Sequence, residues 1–133
     1  MELQGGCQCG AVRYRVEGEA KHNALCHCRD CRISSGAPAV GWLGVNEAQL
    51  VLLQGEVANY LGRTGSRRQF CPRCGTGLFF RNDAMLPGVV DIQSATLDDP
   101  DAAPPQAQIQ TAERIGWMER LDDLPEFARF PGS

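Results

Sequence analysis

The sequence predicts a mainly β fold: one small β-sheet domain spanning residues 1–133, with short helical turns between strands. Three observations lead to this expectation. Val12, Tyr14 and Val16 alternate with Arg13, Arg15 and Glu17, the period of two of a half-buried strand. Other apolar runs are short and separated by turn residues, with 15 glycines and 8 prolines in the chain, the punctuation of a protein with many short strands. Seven cysteines fall in tight groups at Cys7 and Cys9, at Cys26, Cys28 and Cys31, and at Cys71 and Cys74, so turns are built around thiols.

Taken in order, Gly5-Gly6-Cys7-Gln8-Cys9-Gly10 sets paired thiols between glycines, which permit the positive φ values a tight wrap requires. The strand over 11–17 follows and ends at Gly18. A polar connector through Lys21, His22 and Asn23 leads to the central cysteine cluster, where Cys28 to Arg32 is expected to form a turn or a single helical turn. Pro38 to Leu43 and Leu50 to Leu53 read as strands, with Gly44 to Glu47 as the turn between them. Asn59 to Leu61 continues the sheet and Gly62 to Ser66 loops out. In Cys71-Pro72-Arg73-Cys74-Gly75, Pro72 stiffens the turn and Gly75 suits the left-handed position. Leu78 to Arg81 and Val89 to Ile92 are further strands, Thr96 to Pro105 a surface loop, and Ile109 part of a short strand. Leu121, Leu124, Phe127 and Phe130 recur every three residues, which predicts a short terminal helix or turn with its apolar side on the sheet.

The net charge of −3 and the acidic pI of about 5.3 argue against nonspecific nucleic-acid binding, which needs a basic face. No apolar stretch approaches the roughly 20 residues of a membrane span. Met1 to Gly6 lacks the charged and apolar regions of a signal peptide, which places the protein in the cytoplasm. In that reducing compartment seven cysteines read as metal ligands rather than disulfides.

Zinc suits them, and two partitions are open. Cys7, Cys9, Cys71 and Cys74 close one four-thiolate site and leave Cys26, Cys28 and Cys31 for a second with one position free, the mark of a catalytic rather than a structural centre. Alternatively, Cys28, Cys31, Cys71 and Cys74 form a zinc ribbon, which leaves Cys7, Cys9 and Cys26 without a task. Spacing alone does not decide between them.

Three stretches resemble a known family. Gly5-Gly6-Cys7-Gln8-Cys9-Gly10-Ala11-Val12-Arg13-Tyr14, Cys26-His27-Cys28-Arg29-Asp30-Cys31-Arg32 with Ser35-Gly36-Ala37, and Phe70-Cys71-Pro72-Arg73-Cys74-Gly75-Thr76 with Leu78-Phe79 are similar to successive motifs of the glutathione-dependent formaldehyde-activating enzymes (GFA, or CENP-V/GFA domain). Leu97-Asp98-Asp99-Pro100, Trp117 and Leu124-Pro125-Glu126-Phe127 extend the likeness over nearly the whole chain. The resemblance implies an Mss4-like β fold and the first partition: a structural zinc on Cys7, Cys9, Cys71 and Cys74, and a catalytic zinc on Cys26, Cys28 and Cys31. It implies a carbon–sulfur lyase that forms or cleaves a thiol–aldehyde adduct such as S-hydroxymethylglutathione. The partner is then a small-molecule thiol, glutathione being the model, with no nucleic acid or membrane; oligomeric state is not readable. The alternative is a non-catalytic zinc-binding interaction module on the same fold. The chain departs from the pattern at Gln108, where a histidine is expected, and over Thr111 to Arg114, which lacks an expected serine; both bear on substrate choice.

Charge counting agrees with thiol chemistry. Zinc with three thiolates carries a net charge of −1 and acidifies water less than zinc on three neutral histidines does. It still favours the deprotonated form of a coordinated thiol, so such a site is better suited to accept a fourth sulfur than to make hydroxide. Around it, Arg29 and Arg32 either offset the charge or are surface residues, and Arg67-Arg68 reads as a solvated pair. His27 points away from the thiols, Asp30 is an acceptor for backbone N–H groups, and His22 is exposed. Trp42 and Trp117 read as core residues. Phe79 and Phe80 face opposite sides of their strand.

Overall fold

The computed structural model describes residues 2–132. Ten strands run in order: β1 (Glu2–Gly6), β2 (Arg13–Glu17), β3 (His22–Cys26), β4 (Val40–Asn46), β5 (Leu50–Gln54), β6 (Ala58–Leu61), β7 (Arg67–Phe70), β8 (Gly77–Arg81), β9 (Val89–Gln93) and β10 (Ala107–Ile109). A single α-helix among the described residues, α1 (Arg29–Ser35), lies between β3 and β4. The mainly β expectation therefore holds.

The strands form a three-stranded sheet, β1-β2-β5, and a seven-stranded sheet, β10-β3-β4-β9-β8-β7-β6, in which only β10 and β3 run parallel. Gly55, at φ +81° with Ala11 backbone close by, lies where the chain leaves the small sheet for the large one. Hence β5 and β6, adjacent in sequence, belong to different sheets.

Strand alternation sorts side chains onto the two faces of the large sheet. On one face Leu43 and Val45 of β4, Phe79 of β8 and Val90 and Ile92 of β9 pack against Val12, Tyr14 and Val16 beneath the small sheet, forming the main core. Tyr14 meets Phe79 edge-on with ring centroids 5.3 Å apart. On the other face Trp42, Val40 and the partly buried Phe80 gather with Cys26 and Cys31 under α1. Phe79 and Phe80 thus serve opposite faces, as their positions require.

Four local expectations are corrected. The helix after Cys28 is longer than one turn, running to Ser35. Gly44 to Asn46 belongs to β4 rather than to a turn, and only Glu47–Gln49 forms a 3-10 turn. The segment over 96–105 is not wholly surface, because Leu97 and Ala103 are buried in the main core. The C-terminal stretch forms 3-10 turns over Gly116–Asp123 with no buried residue, and Trp117, Leu121, Leu124 and Phe127 stay about half exposed. Of the four regularly spaced apolar residues only Leu121 lies in those turns; Leu124, Phe127 and Phe130 follow them, and none of the four is buried. No helix among the described residues is long and apolar enough to cross a membrane.

Arg13 clamps the loop after β9 to the small sheet, its two terminal nitrogens donating to Asp98 at 2.9 and 2.5 Å. Beside it, the Tyr14 and Thr96 hydroxyls lie 2.8 Å apart. The Arg13 guanidinium holds the Asp98 carboxyl below the usual carboxylate range. A carboxyl with a lowered folded-state pKa stabilises above its unfolded value, and this is lost as pH falls through the folded value. Asp98→Asn is expected to cost only about 0–1 kcal/mol at neutral pH, since the pair is largely exposed. Urea unfolding should find wild type and variant converging below about pH 4.

Candidate metal centres

The turn after β1 and the turn between β7 and β8 bring four thiols together. Gly10, at φ +81°, closes the first turn with its N–H donating to Cys7 O at 3.1 Å. Gly75, at φ +84°, closes the second with its N–H on Cys71 O at 2.9 Å. Both turns need the left-handed region that glycine enters freely. The Sγ atoms of Cys7, Cys9, Cys71 and Cys74 all lie within 4.8 Å of one another. Cys7 and Cys9 are 3.6 Å apart, and Cys9 and Cys71 3.8 Å. These separations match the edge of about 3.8 Å of a tetrahedron with metal–sulfur bonds of about 2.3 Å, and far exceed the roughly 2.05 Å of a disulfide. All seven cysteines are free.

Backbone donors are aimed at these sulfurs. Val12 N–H donates to Cys7 Sγ at 3.2 Å, and Arg73 and Cys74 N–H both to Cys71 Sγ at 3.4 Å. Such donors favour the ionised form. The Thr76 hydroxyl, 3.2 Å from Cys74 Sγ, helped by backbone N–H groups, brings that thiol down to about 5. Cys9 goes the other way, to about 11: the Ala11 backbone lowers it, but burial and the neighbouring thiols outweigh that. Four crowded thiols cannot all ionise unaided, and a divalent cation would resolve the conflict.

The second cluster sits on the opposite face of the large sheet. Cys26 ends β3. Cys28, extended at φ −65° and ψ 151°, caps α1, its Sγ accepting the Cys31 N–H at 3.3 Å. The backbone N–H acceptor here is thus a thiol, while Asp30, read as an acceptor for backbone N–H groups, is exposed in the first turn. Gly36, at φ +67°, ends the helix with its N–H on Arg32 O at 2.7 Å. The Sγ atoms of Cys26, Cys28 and Cys31 lie within 4.8 Å of one another, and no histidine, carboxylate or fourth cysteine among the described residues joins them. Burial pushes Cys26 up to about 12 and raises Cys31 as well. Three soft donors with hydrogen bonding and partial burial fit zinc at this cluster also. Cys28 and Cys31 do not meet Cys71 and Cys74, so the ribbon grouping is not formed.

His27 turns away from the thiols. Its ring is buried, with Nε2 2.8 Å from Gln108 Oε1 and its backbone N–H on Ile109 O at 3.1 Å. Since an amide oxygen only accepts, this selects the Nε2–H tautomer. Gln108, one of the two departures from the family pattern, therefore anchors the residue between two ligand candidates. Glu113, in the other departing stretch, accepts the Arg29 N–H at the start of α1 at 3.1 Å.

Three residues differ from their sequence reading. His22 is not simply exposed: its Nε2 donates to the buried Asp91, across a gap left by Gly44, where a methyl would collide with the imidazole. Trp117 is not a core residue; it lines a groove of about 290 Å3 with Arg32, Ile33, Pro38 and Ile115, beside α1. Arg68 is not a solvated cation: its Nη2 lies 4.0 Å from Cys31 Sγ and its guanidinium 4.9 Å above the Phe80 ring. The signal for Arg68 was present in strand alternation, which sets Arg67 and Arg68 on opposite faces and opposes Arg68 to Phe80.

Comparisons with known proteins agree with this picture. Residues 2–113 match the sequence profile of the family described as glutathione-dependent formaldehyde-activating enzyme. A putative glutathione-dependent formaldehyde-activating enzyme of Halomonas elongata is 27% identical over 128 residues, covering 90% of this chain and 81% of that protein. An uncharacterized lyase of Schizosaccharomyces pombe is 30% identical over 79 residues, covering 59% of this chain and only 57% of that protein's length. The crystal structure of a Rhodobacter sphaeroides protein, 21% identical, shares the fold with a TM-score of 0.64 over 80% of this chain and 99% of that one.

Proposed function

Because the chain belongs to the glutathione-dependent formaldehyde-activating enzyme family, we propose that it is a zinc-dependent carbon–sulfur lyase that makes or breaks a thiol–aldehyde adduct at Cys26, Cys28 and Cys31. The observation behind this reading is the contrast in ligand number: four thiols in one cluster, three in the other. Structural zinc sites are closed by four protein ligands, and catalytic ones keep a position open. Cys7, Cys9, Cys71 and Cys74 then hold a structural zinc.

Zinc on three thiolates supplies an open position that favours a substrate sulfur in its thiolate form. The chain's own groups shape what reaches it. Cys26, Cys28 and Cys31 fix the site from the end of β3 and the first turn of α1. Val40, Trp42 and Phe80 shield it with apolar surface. His27, held by Gln108, keeps its imidazole out of the centre. In the adduct-forming direction the thiol sulfur bonds to the aldehyde carbon, the C=O π bond opens, and the thiol proton ends on the new hydroxyl. The reverse reaction returns thiol and aldehyde. The substrate is a small thiol, with glutathione as the family's example. Seven unpaired cysteines suit a reducing compartment such as the cytoplasm.

Exchange NMR of glutathione with formaldehyde tests this reading. Catalytic amounts of zinc-loaded protein should accelerate exchange between free and adduct forms. The acceleration should vanish on zinc removal and return with zinc. Two bound zincs with no acceleration and no thiol binding would instead identify a zinc-binding interaction module.

A further inference from the structure

Among the described residues Arg68 has no carboxylate partner. The ion pairs among the described residues use Arg13, Arg15, Arg67, Arg81, Arg114 and His22, but not Arg68. Its neighbour Arg67 reaches toward Asp83 at 4.0 Å. Arg68 instead sits over the Phe80 ring, itself 5.9 Å from Trp42, with Nη2 4.0 Å from Cys31 Sγ. Its Nη1 is buried and has no hydrogen-bond partner among the described residues. A half-buried cation with a buried, unanswered N–H carries a desolvation cost that a facing anion would offset. Protonated thiols offer none; three metal-bound thiolates do.

We propose that Arg68 is a positioning residue for the three-thiol centre, its guanidinium balancing the negative charge that Cys26, Cys28 and Cys31 carry when they hold a metal. With three thiolates on a divalent cation the centre has a net charge of −1, and an incoming thiolate would take it to −2. Arg68 reduces each by one without occupying a coordination position, because a guanidinium has no acceptor or ligating lone pair. Its position over the Phe80 ring fixes it there. This inference rests on the metal-centre reading above.

Competition of zinc-loaded protein against a chromophoric chelator tests it, comparing wild type with Arg68→Met, Arg68→Lys and Arg68→Gln. The zinc on Cys7, Cys9, Cys71 and Cys74 serves as an internal report of an intact fold. In Arg68→Met, which keeps an apolar stem over Phe80, the second zinc should bind about 10–100-fold more weakly, the usual effect of losing a partner that supports metal ligands. Arg68→Gln, which keeps a donor without the charge, should behave like Arg68→Met, and Arg68→Lys should recover most of the loss. Unchanged affinity in both neutral variants would overturn the proposal, as would a lysine variant as weak as the methionine one. A wild type that binds zinc at the four-thiol cluster alone would overturn the metal-centre reading itself, and this inference with it.

Discussion

Cys71→Ser is expected to unfold the chain. Cys71 is fully buried, accepts two backbone N–H groups on its sulfur, and lies 3.8 Å from Cys9. Its cluster joins the β1–β2 turn of the small sheet to the β7–β8 turn of the large one. A structural zinc contributes about 10–16 kcal/mol in small metal-folded peptides. The net stability of a typical folded protein is only about 5–15 kcal/mol. Removing one thiolate from that site therefore threatens the whole margin. Far-ultraviolet circular dichroism and zinc content should both collapse in Cys71→Ser. A variant that melts cooperatively near the wild-type temperature would show that the sheets hold together without this site.

Cys28→Ser should do the opposite: lose function and keep the fold. In the proposed centre Cys28 would supply one of three ligands, and it caps α1, accepting the Cys31 N–H. Serine is among the preferred N-cap residues, so the helix should survive the exchange. The main core lies on the far face of the large sheet and does not include Cys28. Thermal unfolding should remain cooperative, with the stability cost confined to the second metal. Acceleration of glutathione–formaldehyde exchange should fall to the uncatalysed rate. Retained catalysis would remove the three-thiol centre from the reaction.

What could be read from the sequence was what local chemistry controls. The spacing of Gly10 and Gly75 around the thiol pairs predicts turns that need positive φ, and the structure has both there. Strand alternation alone sets Phe79 and Phe80 on opposite faces, as found. His22 and Arg68 depart from their readings for a different cause, contacts far apart in sequence. His22 meets Asp91 across 69 residues, and only because Gly44 leaves room between them. Arg68 reaches Cys31 because α1 lies over the large sheet, which no local pattern dictates. Helix α1 itself was underestimated because its seven residues are too few to show an amphipathic period; the legible stop signal was Gly36. The C-terminal stretch departs in the other direction: its regular apolar spacing reads as a docking face, but the 3-10 turns end at Asp123 and these side chains stay about half exposed or more.

Zinc per chain, measured by elemental analysis on wild type and Cys28→Ser alongside calorimetric titration with glutathione, tests the central claim most directly. Two zincs in wild type, one in a folded Cys28→Ser, and thiol binding that disappears with the second zinc are the expected results. One zinc in both proteins, with no glutathione bound to either, would contradict an open metal centre at Cys26, Cys28 and Cys31.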